Sequence, residues 1–156
     1  MRAFIFPGQG AQPIGMAQDV AAAFPAAQAV FDEVDDALGE QLSALIWEGA
    51  LETLTLTENA QPALMATSIA VMRALASEGV TVESGAFVAG HSLGEYSALC
   101  AAGALSLGDT SRRLRIRGRA MQAAVPVGEG AMAAILGLVL ACVDAVVADA
   151  ALGDCL

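Results

Sequence analysis

Apolar positions along this chain fall into two patterns, short unbroken runs and longer stretches at helical spacing, and together they predict alternating strands and helices. Ala3-Phe4-Ile5-Phe6 predicts a short buried strand, and the proline- and glycine-rich Pro7-Gly8-Gln9-Gly10-Ala11-Gln12-Pro13 predicts a loop after it. From Met16 to Leu38 the spacing is helical. Pro25 divides two helices there as a first-turn residue of the second, with Phe24, Val30, Phe31, Val34 and Leu38 facing the core. A short helix around Leu42 to Trp47 leads into a Thr-rich connection. Thr57 is then placed as the N-cap of a long helix over Ala60 to Glu78, with Pro62 in its first turn and Gly79 as its stop; Leu64, Ile69, Met72 and Leu75 form its buried stripe. That helix feeds a second short strand, Ala86 to Ala89, making half of a βαβ unit.

After the second strand, helices are predicted over Leu93 to Ala102, ended by Gly103, and from a cap at Ser106 or Asp109 to about Ala124. Pro126-Val127-Gly128-Glu129-Gly130 reads as a subdomain boundary. It separates a partial α/β core, residues 1–126, from a second unit, 127–156, in which Ala131 to Leu136 predicts a strand and Leu140 to Ala151 a helix.

Composition narrows the possibilities. The length suits one globular domain or part of one. The uncharged stretch from Gly130 to Val143 is too short to span a membrane, and the N-terminal apolar run, closed by Pro7, is too short for a signal peptide, so a cytoplasmic protein without a membrane partner is expected. Cys100, Cys142 and Cys155 are odd in number and widely spaced, which suits reduced structural thiols. A net charge of −10 excludes the basic footprint that nucleic acid requires. Asp32, Glu33, Asp35 and Asp36 form an acidic run read as a solvated face, and no metal site is predicted. The chain has no lysine, and its arginines concentrate at Arg112, Arg113, Arg115, Arg117 and Arg119. On that helix Leu114, Gly118, Met121 and Val125 share an apolar face, with Arg112, Arg115 and Arg119 opposite. Arg117 sits at the edge of the apolar arc. A partly buried guanidinium there requires an anion, supplied either by an internal carboxylate or by a ligand.

The candidate chemistry centres on Gly90-His91-Ser92-Leu93-Gly94, a serine between two glycines where an apolar run meets a helix. This is the pattern of a nucleophile elbow, which exposes the hydroxyl on a strained turn beside helix N-terminal N–H groups. It also fits a plain strand–turn–helix joint that happens to carry a serine. Gly8-Gln9-Gly10 is placed where α/β proteins bring backbone to a ligand, and is equally an ordinary tight turn. Dinucleotide and Walker motifs are excluded: Pro13 replaces the third glycine of the first, and the second needs a lysine.

Together, Phe6-Pro7-Gly8-Gln9-Gly10-Ala11-Gln12, Gln61-Pro62-Ala63-Leu64, Gly90-His91-Ser92-Leu93-Gly94-Glu95-Tyr96-Ser97-Ala98-Leu99 and Arg117-Gly118-Arg119-Ala120-Met121-Gln122 resemble the malonyl-CoA:acyl carrier protein transacylases of bacterial fatty-acid synthesis. The likeness continues through Gly130-Ala131-Met132-Ala133-Ala134-Ile135. The resemblance implies an α/β-hydrolase-like acyltransferase core with a parallel sheet and a nucleophile elbow, and the start of a small ferredoxin-like subdomain. It implies an acyl carrier protein S-malonyltransferase in which Ser92 is the nucleophile, Gln9 and Leu93 form the oxyanion hole, Arg117 binds the substrate carboxylate and His91 supports the site. No cofactor is implied; malonyl-CoA and the phosphopantetheinyl carrier protein are the substrates. The family's general base is a histidine from the second half of the chain, whereas His91 is the only histidine here. The sequence is therefore read as an N-terminal half, truncated or from an incomplete gene and inactive alone. Two other readings compete: a serine esterase or lipase sharing G-x-S-x-G, which an interior arginine disfavours, and a non-catalytic fragment that binds a carrier protein. In the transferase reading, Arg112, Arg115 and Arg119 would steer an acidic carrier protein.

Overall fold

The structure, a computed structural model, describes residues 1–124 and 137–150. It is α/β, with strand β1 (Ala3–Phe6) paired in parallel with β2 (Phe87–Gly90) in a two-stranded sheet. Their register, Ala3 with Phe87 through Phe6 with Gly90, brings both strand ends out on the same side. That is where α/β folds gather functional loops. The predicted second strand lies one residue early, and Ala86 still joins the ladder by donating to Arg2 O at 2.8 Å. The apolar runs predict buried strands, but Ile5 is 79% and Phe87 63% exposed, so among the described residues only one face of the sheet is covered.

Between the strands run α1 (Gln18–Ala23), α2 (Pro25–Leu38), α3 (Leu42–Glu48), α4 (Leu51–Thr55) and α5 (Thr57–Ser77). Pro25 opens α2 at its first turn, where a missing N–H costs nothing. Val30, Phe31 and Val34 are buried as predicted, and Phe24 and Leu38 are half-buried. Phe31 meets Trp47 edge to face, with ring centroids 5.0 Å apart.

Helix α5 departs from its predicted start. Thr57 is its first helical residue, not its cap; Leu56 precedes it and provides no side-chain cap. The Thr57 N–H is satisfied from far along the chain, by Gln122 Oε1 at 3.2 Å. Pro62 therefore lies inside the helix and not in its first turn. Having no N–H, it leaves the carbonyl of Glu58 without its helical donor. Arg115 Nη1 supplies one, at 2.7 Å.

The chain continues into α6 (Leu93–Ala101) and α7 (Leu107–Ala124). Ser106 caps α7 by accepting the Asp109 N–H at 3.1 Å while donating its hydroxyl to the Asp109 carboxylate at 2.8 Å. Helix α7 packs against α2, α5 and α6 at once. That wide contact overturns one expectation. Arg115, placed with Arg112 and Arg119 on the solvent side, is 5% exposed, and the Glu40 carboxylate accepts from its Nη2 at 2.6 Å. Burial lowers its pKa from the usual guanidinium value, against the opposing pull of Glu40.

By backbone contacts the chain divides into two units, Met1–Val125 and Pro126–Leu156. In the second, α8 spans Leu140–Ala150 and exposes Leu140, Val146 and Val147. The strand predicted over Ala131 to Leu136, and Val125 on the apolar face of α7, lie outside the described residues. No helix among the described residues is long and apolar enough to cross a membrane.

Candidate active site

Ser92 occupies the joint between β2 and α6 with φ 56° and ψ −112°, a conformation that non-glycine residues rarely adopt. A backbone held there costs about 1–3 kcal/mol and persists only where its surroundings enforce it. The two flanking glycines are part of that enforcement. A Cβ on Gly90 would overlap the Gly94 carbonyl, and one on Gly94 would overlap the carbonyl oxygens of Phe6 and Pro7. The turn is thus pressed against the end of β1. His91 N–H donates to Phe6 O at 3.2 Å, and Gly94 N–H to His91 O at 2.9 Å.

Ser92 is exposed, while Leu93 behind it is 1% exposed and anchors the start of α6 in the core. The Leu93 N–H has no acceptor among the described residues. It belongs to the first turn of α6, where the helix dipole favours negative charge. Gln9 lies on the loop leaving β1, at the same end of the sheet, and its N–H is likewise unpaired among the described residues. Its side chain donates from Nε2 to Thr57 Oγ1 at 3.1 Å. His91 is exposed, and its imidazole occupies the space that a side chain on Gly8 would take.

Arg117 reaches this turn from α7. Its Nη2 donates to Ser92 Oγ at 3.0 Å and its Nη1 to Gln61 Oε1 at 2.6 Å, and its guanidinium lies 5.9 Å from the centre of the Tyr96 ring. It is half-buried, yet it pairs with no carboxylate among the described residues. Of the two readings open for this arginine, an internal salt bridge and an external anion, the first is not formed among the described residues. Three others of the cluster are paired internally: Arg112 with Asp109 at 2.9 Å, Arg115 with Glu40, and Arg119 with Glu40 at 3.2 Å and Glu58 at 3.3 Å. The expected cationic face for a carrier protein is thereby largely neutralised, with Arg115 removed from it altogether.

Three residues here carry no site role in the sequence reading. Gln61 has 0% exposure, so its amide needs internal partners; it accepts from Arg117 and donates to Met121 Sδ at 3.3 Å. Its signal was a glutamine within an apolar helical stretch. Tyr96 and Thr57 carried no comparable signal. No group of three or more His, Cys, Asp or Glu side chains among the described residues is arranged to hold a metal ion. In the acidic run, Asp35 accepts from the backbone N–H of Ser43 at 2.9 Å.

Comparison with known proteins gives the family. Residues 3–154 match the acyl transferase domain family. The malonyl CoA-acyl carrier protein transacylase of Bacillus subtilis strain 168 is 58% identical over 136 residues, which cover 87% of this chain and 42% of that protein. Its counterpart in Escherichia coli K12 is 48% identical, with 87% and 43% covered. Among solved structures, an acyl-carrier-protein-S-malonyltransferase from Bartonella henselae superposes with a TM-score of 0.90 at 59% identity, over 99% of this chain and 50% of that one. A malonyl-transacylase solved in complex with a type II PKS acyl-carrier protein superposes at 0.88 with 44% identity, over 97% and 48%. The chain spans about half the length of these relatives. By the match over residues 3–154 the chain belongs to the acyl transferase domain family, and its sequence and backbone are similar to those of the malonyl transacylases.

Proposed function

We propose that this chain carries the acyl-accepting site of a malonyltransferase, which moves a malonyl group from coenzyme A to the phosphopantetheine thiol of an acyl carrier protein. The observation that carries this reading is the Arg117–Ser92 hydrogen bond of 3.0 Å. It holds a guanidinium that meets no carboxylate among the described residues beside a hydroxyl, as a substrate with a thioester at one end and a carboxylate at the other requires. An ester hydrolase with an apolar acyl pocket has no use for that cation. The neighbour solved with a carrier protein bound supports the choice of acceptor.

In the first half-reaction Ser92 Oγ loses its proton to a general base and bonds to the thioester carbonyl carbon. The carbonyl oxygen becomes an oxyanion, which the N–H groups of Gln9 and Leu93 stabilise. Collapse breaks the carbon–sulfur bond, and the coenzyme A thiolate leaves and is protonated. The carrier thiol then attacks malonyl-Ser92 by the same steps in reverse, so one difficult transfer becomes two easier ones. Arg117 receives the malonyl carboxylate through a forked pair of N–H donors and exchanges its bond to Ser92 for it. His91 packs the loop against the turn. Its place next to the nucleophile does not suit it as the base.

In this reading the Ser92 turn is a nucleophile elbow, residues 1–126 are part of an α/β-hydrolase-like core, 127–156 begin a ferredoxin-like subdomain, and the protein works in the cytoplasm. The test is intact-mass measurement after incubation with malonyl-CoA or acetyl-CoA. A malonyl adduct that maps to Ser92 and is absent in Ser92→Ala supports the proposal; no adduct favours the non-catalytic fragment, and equal acetyl and malonyl labelling refutes the malonyl reading.

A further inference from the structure

Two of the groups assigned to the transferase reaction stand on separate supports, Gln9 on the loop after β1 and Arg117 on α7. We infer that Thr57, the first residue of α5, is the positioning residue that fixes one support to the other; the inference rests on the transferase reading above.

Thr57 is bonded in both directions. Its hydroxyl accepts from Gln9 Nε2 at 3.1 Å, and its N–H donates to Gln122 Oε1, on the same helix as Arg117, at 3.2 Å. The turn that begins with Thr57 cannot slide on α7. Arg115 Nη1 holds the Glu58 carbonyl at 2.7 Å, Arg119 Nε meets the Glu58 carboxylate at 3.3 Å, and Gly118 lies so close that an added Cβ would stand 2.6 Å from Glu58 Cα. The Gln9 loop has much less to hold it. Within it, Gly10 N–H donates to Gln12 Oε1 at 2.8 Å; to α5, its side-chain link is the bond to Thr57. An oxyanion donor works only within a few tenths of an ångström of its proper distance. A loop carrying that donor therefore needs a fixed reference, and the turn locked onto α7 provides it.

Thr57 touches no reacting atom in this scheme, so its loss must alter chemistry without altering substrate capture. Thr57→Val keeps the size and removes the hydroxyl; Thr57→Ser keeps the hydroxyl. With malonyl-CoA varied and Ser92 adduct formation followed by mass, Thr57→Val is expected to slow the maximal rate by about 10- to 100-fold, with the half-saturating concentration unchanged and Thr57→Ser restoring the rate. A rise in half-saturating concentration without a fall in rate overturns the inference. Hydrogen exchange of the ligand-free chain provides a readout that needs no turnover. Exchange over residues 7–13 is expected to rise in Thr57→Val and to match the parent in Thr57→Ser, with residues 63–75 unchanged in both. Unchanged exchange over 7–13, or a rise that spreads to 63–75, also overturns it. If the parent chain forms no adduct, the exchange pattern alone decides the Thr57 tether. If Thr57→Val does not fold, Gln9→Ala cuts the same bond from the other side and must give the same local rise.

Discussion

Arg117 and Ser92 are bonded side chain to side chain at 3.0 Å, and behind the guanidinium stands the fully buried amide of Gln61. In the proposed transferase reading this cation, which meets no carboxylate among the described residues, receives the substrate carboxylate at a set distance from the hydroxyl. Arg117→Ala is expected to cut the preference for malonyl- over acetyl-CoA by about 30-fold, equivalent to about 2 kcal/mol for a hydrogen bond to a charged group. Arg117→Lys restores the charge but not the fork, and recovers only part of the preference. Paired adduct measurements with the two thioesters check this.

Gly94 tests how tightly the serine turn is pressed onto β1. The space a Cβ would need is filled by backbone carbonyl oxygens of Phe6 and Pro7, which have no alternative rotamer. Gly94→Ala is expected to destabilise the fold by about 1–3 kcal/mol or more. The urea unfolding midpoint measures it; an unchanged midpoint would show that the strand end yields freely.

Arg115 and Arg119 both meet Glu40, with opposite consequences. Arg115→Met leaves the Glu58 carbonyl without a donor and Glu40 without its buried partner. The expected loss is about 3 kcal/mol, less than for a wholly buried pair because the Glu40 side chain stays 40% exposed. Arg119 is 61% exposed, and Arg119→Ala is expected to cost below about 1 kcal/mol. Parallel denaturant titrations separate the two.

Cys100 gives the fold a pH dependence on the alkaline side. Burial raises its thiol pKa above the ordinary value, so the folded chain holds the proton longer than the unfolded chain does. That contribution to stability is complete below the unfolded thiol value, about 8.5, and is lost as pH rises through the folded value. Unfolding titrations from neutral pH upward are expected to show declining stability, with a shallower decline in Cys100→Ala. Equal slopes in the two proteins would remove the assignment.

Much of the framework was legible because its signals are local. The first strand has its predicted bounds, and Pro25 and Ser106 sit where short-range capping chemistry puts them. The failures share a different cause. Helix α4 is five residues long, too short to show a period. Thr57 looked like a cap, yet its own N–H is satisfied from Gln122, which no local pattern foretells. Arg115 was misplaced because projecting side chains around one helix assumes a single buried arc, whereas α7 is enclosed by three neighbours. Arg117, at the margin of that arc, was located correctly as half-buried, but its bond to Ser92 depends on how α6 and α7 meet.

Pro62 has a consequence for the order in which this chain assembles. Because it withholds a hydrogen-bond donor from Glu58, the first turn of α5 cannot complete itself as an isolated helix would. It closes when α7 arrives with Arg115 and Gln122. Thr57 belongs to that turn, and the Gln9 loop hangs from Thr57. Segments far apart in the sequence must therefore meet before that turn is complete.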